Sequence, residues 1–120
     1  MSMTLRERLR DLAKSPVEHQ ADALRAQSET AGGDDLTSLA PRHPACVCGT
    51  VRTVTLPPRR SVPALVAEVW DGNGAINLVW IGRRRIAGIE PGVFLRARGR
   101  VAVVRGAPTI FNPAYEIVPQ

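Results

Sequence analysis

Lysine is almost missing from this chain: Lys14 stands alone against fifteen arginines. Aromatic residues are nearly as scarce, five in 120 residues. Two cysteines are too few for a multi-disulfide secreted scaffold. No apolar run approaches the roughly 18 residues that a membrane-spanning helix needs. The stretch from Met1 to Lys14 is charged throughout and has no apolar leader core. The chain has no Gly-rich phosphate loop ending in Lys-Ser/Thr, no Gly-x-Ser-x-Gly elbow and no Cys-x-x-Cys pair. These absences argue for a soluble, cytoplasmic, non-catalytic protein that needs no cofactor.

What is present is positive charge, unevenly spread. The net charge is +5. Residues 1–45 hold six basic and seven acidic groups, a net of −1, while residues 46–120 hold ten arginines and four acids, a net of +6. A GC-rich genome explains arginine in place of lysine but not this asymmetry. A planar guanidinium offers two parallel donors to a phosphate, so the excess suits a polyanionic partner.

The pattern of apolar residues divides the chain at about residue 35. Leu5, Leu9 and Leu12 fall on one helical face. A second, weaker helix is expected over Pro16–Ser28, with Val17, Ala21 and Leu24 on one side. The run Ala31-Gly32-Gly33-Asp34-Asp35 breaks it. Residues 1–35 are therefore read as a helical extension and residues 36–120 as a separate β domain. Leu36–Pro44 reads as an extended lead-in.

Beyond Ala45 the period becomes two. Val47, Gly49 and Val51 share one face of a first strand. Leu65, Ala67 and Val69 should point inward from a second strand, and Ile76, Leu78 and Trp80 from a third. Asp71-Gly72-Asn73-Gly74 between them is a strong hairpin signal, because Gly and Asn tolerate positive φ. A connector over Gly82–Pro91, read as a short turn of helix, leads to a long fourth strand over Val93–Val104. Arg105-Gly106-Ala107-Pro108 forms a second hairpin turn. A fifth strand, Thr109–Val118, is interrupted at Asn112-Pro113. Gly99 marks a place where the fourth strand must bend. Five strands with a long break after the third fit an all-β Greek-key barrel of the OB type, with an SH3-like barrel as the alternative.

Particular residues carry a resemblance. Gly49-Thr50-Val51, Val69-Trp70-Asp71-Gly72-Asn73-Gly74, Ile76-Asn77-Leu78-Val79-Trp80, Pro91-Gly92, Gly99-Arg100-Val101 and Asn112-Pro113-Ala114-Tyr115-Glu116 occur in this order. The set resembles the OB-fold wedge domain of the RecG helicase and related tRNA-anticodon-type OB domains. It is closer still to small stand-alone OB-fold proteins of actinobacteria. The resemblance covers residues 46–118 and implies nucleic-acid binding. In the wedge domain, aromatics after the third strand stack on bases at a fork. Here the matching stretch is Ile81-Gly82-Arg83-Arg84-Arg85, so fork splitting does not carry over.

An OB barrel binds oligonucleotides on its second and third strands, between two flanking loops. The expected interface is therefore Arg59 and Arg60 in the first loop, Arg105 in the last hairpin, and Arg83, Arg84 and Arg85 after the third strand. Trp70 and Asn77 would contribute from the outer strand faces. Arg96, Arg98 and Arg100 alternate along one strand face, where they serve either binding or solubility equally well. Trp80, Phe111 and Tyr115 are read as packing residues, and Phe94 as covering the barrel's end. Trp70 is left as the one stacking candidate, and binding to single strands should be weak and tolerant of sequence. His43, Cys46 and Cys48 offer three ligands where zinc needs about four, so no metal is expected. A competing reading from another class is an assembly or adaptor domain. It would dock a protein partner or a second copy through the barrel and the N-terminal helix.

Overall fold

A computed structural model describes residues 16–58 and 62–120. The first expected helix, with Leu5, Leu9 and Leu12, lies outside them, as do Arg59 and Arg60. The described chain is mostly β: a helix α1 (Pro16–Thr30) precedes β1 (Pro44–Thr55), β2 (Ala64–Trp70) and β3 (Ala75–Ile81). Then follow β4 (Phe94–Val104), β5 (Ala107–Phe111) and β6 (Ala114–Ile117). Among the described residues no helix is long and apolar enough to cross a membrane.

The strands pair in the order β1-β2-β3-β5-β4-β6, and β1 also pairs with β4, so five strands close into a ring. All neighbours are antiparallel except β3 and β5. Two strands change partner part-way along their length. β1 pairs with β4 through Thr50 and with β2 from Thr50 onward. β4 pairs with β6 through Arg98 and with β5 from Val101. The change of partner falls around Gly99, where an added Cβ would sit 2.4 Å from the Ile110 side chain. Only a residue without a side chain lets Ile110 fill that space.

The expected fifth strand is two short strands. At the break, Asn112 takes φ +50°. Its N–H donates to Val79 O at 2.6 Å, and its Oδ1 accepts from Ile81 N–H at 2.9 Å. The side chain thus replaces the ladder bond that the break removes.

Alternation placed the core correctly in β2 and β3. Leu65, Ala67, Val69, Ile76, Leu78 and Trp80 are all buried inside the ring. Burying a side chain of this size contributes about 1.5–3 kcal/mol. Trp80 packs edge-on against Tyr115, with ring centroids 5.5 Å apart, and the Tyr115 hydroxyl donates to Ala87 O at 2.6 Å. Leu36 enters the core beside the β2–β3 hairpin, and Ile86 and Ile89 enter it from the β3–β4 connector. Two expectations change here. Residues 36–43 form turns instead of an extended lead-in, because burying Leu36 demands that the chain fold back. The connector holds turns and no helix.

Helix α1 packs on the outside of the ring. Leu24 is its one buried large apolar residue, seated with Cys48 and Phe94, and Trp70 and Val118 pack at the margin. Val17, expected on the same face, is 67% exposed. Polar clasps supply what the thin apolar face does not. The Arg25 guanidinium pairs with the fully buried Asp71 carboxylate. Asp71 Oδ2 also accepts from Leu36 N–H at 3.2 Å, and Oδ1 accepts from Asn73 and Gly74 N–H, each at 2.9 Å. One carboxylate therefore holds the helix, the plug residue and the hairpin together. At the helix's other end, Arg96 donates through Nε and Nη2 to Ala31 O at 3.1 and 2.8 Å, and pairs with Glu116. A cation placed on carbonyls just past a helix C-terminus is favourable for the helix dipole.

Cys46 and Cys48 lie two apart on β1 and share its outer face beneath α1. Burial pushes the Cys48 thiol above its ordinary pKa. The sign follows directly. The unfolded chain loses the thiol proton first, so the stability contributed by the neutral buried thiol is full below the unfolded-state value of about 8.5 and falls as pH rises through the folded-state value. We expect iodoacetamide at pH 8 to modify Cys46 and spare Cys48 in the native protein, as read by mass spectrometry. Equal labelling of both would show that α1 does not shield them.

Candidate nucleic-acid interface

The candidate interface is built on the outward face of β2, β3 and β5. Outward residues follow from the same alternation that buries Leu65 and Leu78. Val66 stands opposite Val79, and Val79 opposite Phe111 in the parallel pair. Asn77 lies between Glu68 and Thr109. An open cleft of about 350 Å³ runs over this face, lined by Val66, Asn77, Val79, Val104, Arg105 and Phe111.

Parallel pairing of β3 with β5 sets the ends of this face. The β1–β2 loop and the β3–β4 connector meet at the Ala64–Ile81 end, where Gly82 N–H donates to Pro63 O at 2.7 Å. The β4–β5 hairpin, carrying Arg105, stands at the other end. Seven residues of β3 separate the two, roughly 20 Å at the rise of a strand.

The structure brings Asn77 and Arg105 into one cleft. Arg83, Arg84 and Arg85 gather at the opposite end. Arg84 is tied down, its Nη1 donating to Pro57 O at 3.3 Å, while Arg83 and Arg85 are exposed. Among the described residues, none of these four arginines pairs with a carboxylate. Three of the four acids in residues 46–120 are engaged elsewhere: Glu68 with Arg52, Asp71 with Arg25, and Glu116 with Arg96 and Arg98. Charge in excess of its counter-charge is thus left at both ends of the face.

Two aromatic assignments change. Trp70 does lie on the outer side, but it is only partly exposed. The Arg52 guanidinium covers its ring at 4.3 Å from the centroid, and α1 flanks it. Phe111, expected to pack where the barrel closes, is instead 47% exposed on the cleft face. Alternation about the buried Ile110 was the signal for this. Phe94, expected to cover the barrel's end, is buried beneath α1 with Leu24 and Cys48. Arg96 and Arg100 of the β4 stripe also have structural work. Arg96 caps α1, and Arg100 donates to Arg42 O.

Arg105 has a strained backbone. Arg105 and Gly106 take φ +50° and +80° in a two-residue turn between Val104 and Ala107. Positive φ at both central positions is the type I′ pattern that Asn-Gly fills best. A left-handed non-glycine residue costs roughly 1–2 kcal/mol, and Asn relieves part of that. Arg105→Asn should therefore raise the melting temperature by a few degrees while weakening binding to anionic ligands. Denaturation and binding measured on one sample check both signs. A fall in stability would contradict the strain argument.

Among the described residues no group of three or more His, Cys, Asp or Glu is assembled that could hold a metal ion. No known family model matches the chain, and no curated protein matches it either.

Proposed function

We propose that the chain is an OB-fold module that binds single-stranded or distorted nucleic acid without catalysis, working in the cytoplasm. The strand order, with β1 shared between β2 and β4 and closure through a parallel β3–β5 pair, is that expected of the OB barrel. The observation that carries the binding reading is the position of the unpaired arginines. They stand at both ends of an outward face whose middle offers an exposed aromatic ring and a polar amide. Guanidinium groups would follow the phosphates, Phe111 would stack on a base, and Asn77 would meet a base edge or sugar. Trp70 is less suited to stacking, since Arg52 already occupies its ring.

Fluorescence-polarisation titration with short labelled single-stranded DNA and RNA, at 50 and 200 mM salt, tests the reading. Binding at low salt that weakens steeply at high salt is expected. No binding at low salt would overturn it. Light scattering on the same samples, with and without oligonucleotide, tests the assembly reading.

A further inference from the structure

A second cleft adjoins the β2–β3–β5 face and shares Phe111 with it. It is an open cleft of about 620 Å³ between the turn at residues 41–42 and the second half of β4, and Pro41, Arg42, Arg100, Val103 and Phe111 line it. That volume is within the range of pockets that hold small organic ligands. Its walls are of two kinds. Pro41, Val103 and Phe111 are apolar, and Val103 and Phe111 are 54% and 47% exposed. The charged residues of the lining are two arginines, Arg42 and Arg100, and no carboxylate residue lines the cleft.

The cationic wall is fixed in advance. Arg42 N–H donates to Val101 O at 2.7 Å, and Val101 N–H donates to His43 O at 3.0 Å, so the turn is stitched to β4. Arg42 is held there at φ +68°, a left-handed conformation that arginine rarely adopts. The Arg100 Nη1 donates to the Arg42 carbonyl, which orients the guanidinium and leaves its other N–H groups free. Neither arginine has a carboxylate partner among the described residues.

We propose that this cleft binds one nucleotide unit, its base against Phe111, Val103 and Pro41 and its phosphate on Arg42 and Arg100. An apolar wall with an exposed ring selects a flat, weakly hydrated group, and two unpaired guanidiniums beside it select a phosphate on the same molecule. Phosphate alone would leave the apolar wall in water. An uncharged ring would leave the cations unpaired. A free nucleotide and a single nucleotide of a bound strand share this chemistry. The site shares Phe111 with the β2–β3–β5 face, and Arg42, Arg100 and Val103 distinguish it from that face.

The test uses the ¹⁵N-labelled full chain, titrated separately with adenosine monophosphate, adenosine, inorganic phosphate and a 5′-phosphorylated tetranucleotide. Amide shifts are followed at Arg42 and Val101–Val103, which line this cleft and not the β2–β3–β5 face. Adenosine monophosphate should move these amides with an affinity at least tenfold above adenosine or phosphate alone. If the tetranucleotide moves them and the mononucleotide does not, the source is a strand, and the proposal stands in that form. Arg42→Asn keeps a residue that tolerates positive φ and should weaken either ligand at least tenfold with a melting temperature no lower than the parent's. Val103→Glu, which places a carboxylate against the guanidiniums, should do the same. Reversing Arg83, Arg84 and Arg85 should leave mononucleotide binding intact. The proposal is overturned if neither ligand perturbs the cleft, or if both cleft variants bind like the parent. Oligonucleotide binding confined to the β2–β3–β5 face would then leave the proposed function standing without this site.

Discussion

Replacing Asp71 with Ala should cost about 4 kcal/mol of stability or more, the largest loss expected for any single polar residue described here. The carboxylate is fully buried, pairs with Arg25, and accepts three backbone N–H groups. Its removal leaves a partly buried guanidinium without its counter-charge and several donors without acceptors. Breaking a buried pair in this way costs about 3–5 kcal/mol, and each orphaned donor adds up to about 1–3. Small domains hold only about 5–15 kcal/mol in total, so Asp71→Ala should be marginal at 37 °C. Arg25→Ala should be milder, because Asp71 keeps its three backbone donors. Its loss should fall on α1, seen as reduced helical circular dichroism with Trp80 still in its native environment. Chemical denaturation of the two variants checks the order. Equal and small effects would show that α1 and the hairpin do not depend on this carboxylate.

Reversing charge at Arg83, Arg84 and Arg85 should have the largest effect on binding. Each phosphate contact to a single strand contributes about 0.7 to the log–log dependence of affinity on salt. Losing three contacts should flatten that slope by about 2. Extrapolated from 1 M to 50 mM salt, this is a loss of two to three orders of magnitude in affinity. Arg83 and Arg85 are exposed, so the fold should tolerate their replacement. Arg84 touches Pro57 O, so a double variant that retains it separates loss of charge from loosening of the β1–β2 loop. Unchanged affinity and slope in both variants would place the polyanion elsewhere on the molecule.

Strand positions were legible because a pleated strand alternates its faces. Leu65, Ala67 and Val69 opposite Ile76, Leu78 and Trp80 could occupy the ring interior in only one phase. Alternation does not show what covers the outer face. Cys48 and Phe94 point outward and are nonetheless buried, because α1 lies over them with a single leucine and two arginine clasps. Helical periodicity in residues 16–30 gave little sign of this, since polar contacts leave no apolar stripe. Asp71 was equally opaque. Its hairpin alone accounts for an aspartate at that place, and its second oxygen serves residues 35 and 46 positions away in the chain. Phe111 was misread because aromatic rings are usually buried. Its strand phase put it outside, and the kink at Asn112 kept it there.

The parallel β3–β5 pair also bears on how the chain folds. Neighbouring strands joined by short turns, β2–β3 and β4–β5, can form as local hairpins within microseconds. Ring closure cannot be local. Asn77 must meet Thr109, and Pro44 must meet Arg100, so each contact closes a long loop before its gain is realised. The domain should therefore reach the native state in milliseconds to seconds, well after its hairpins appear. Until then the free edges of β3 and β4 are exposed, and the interval before closure is when the chain is most prone to aggregate.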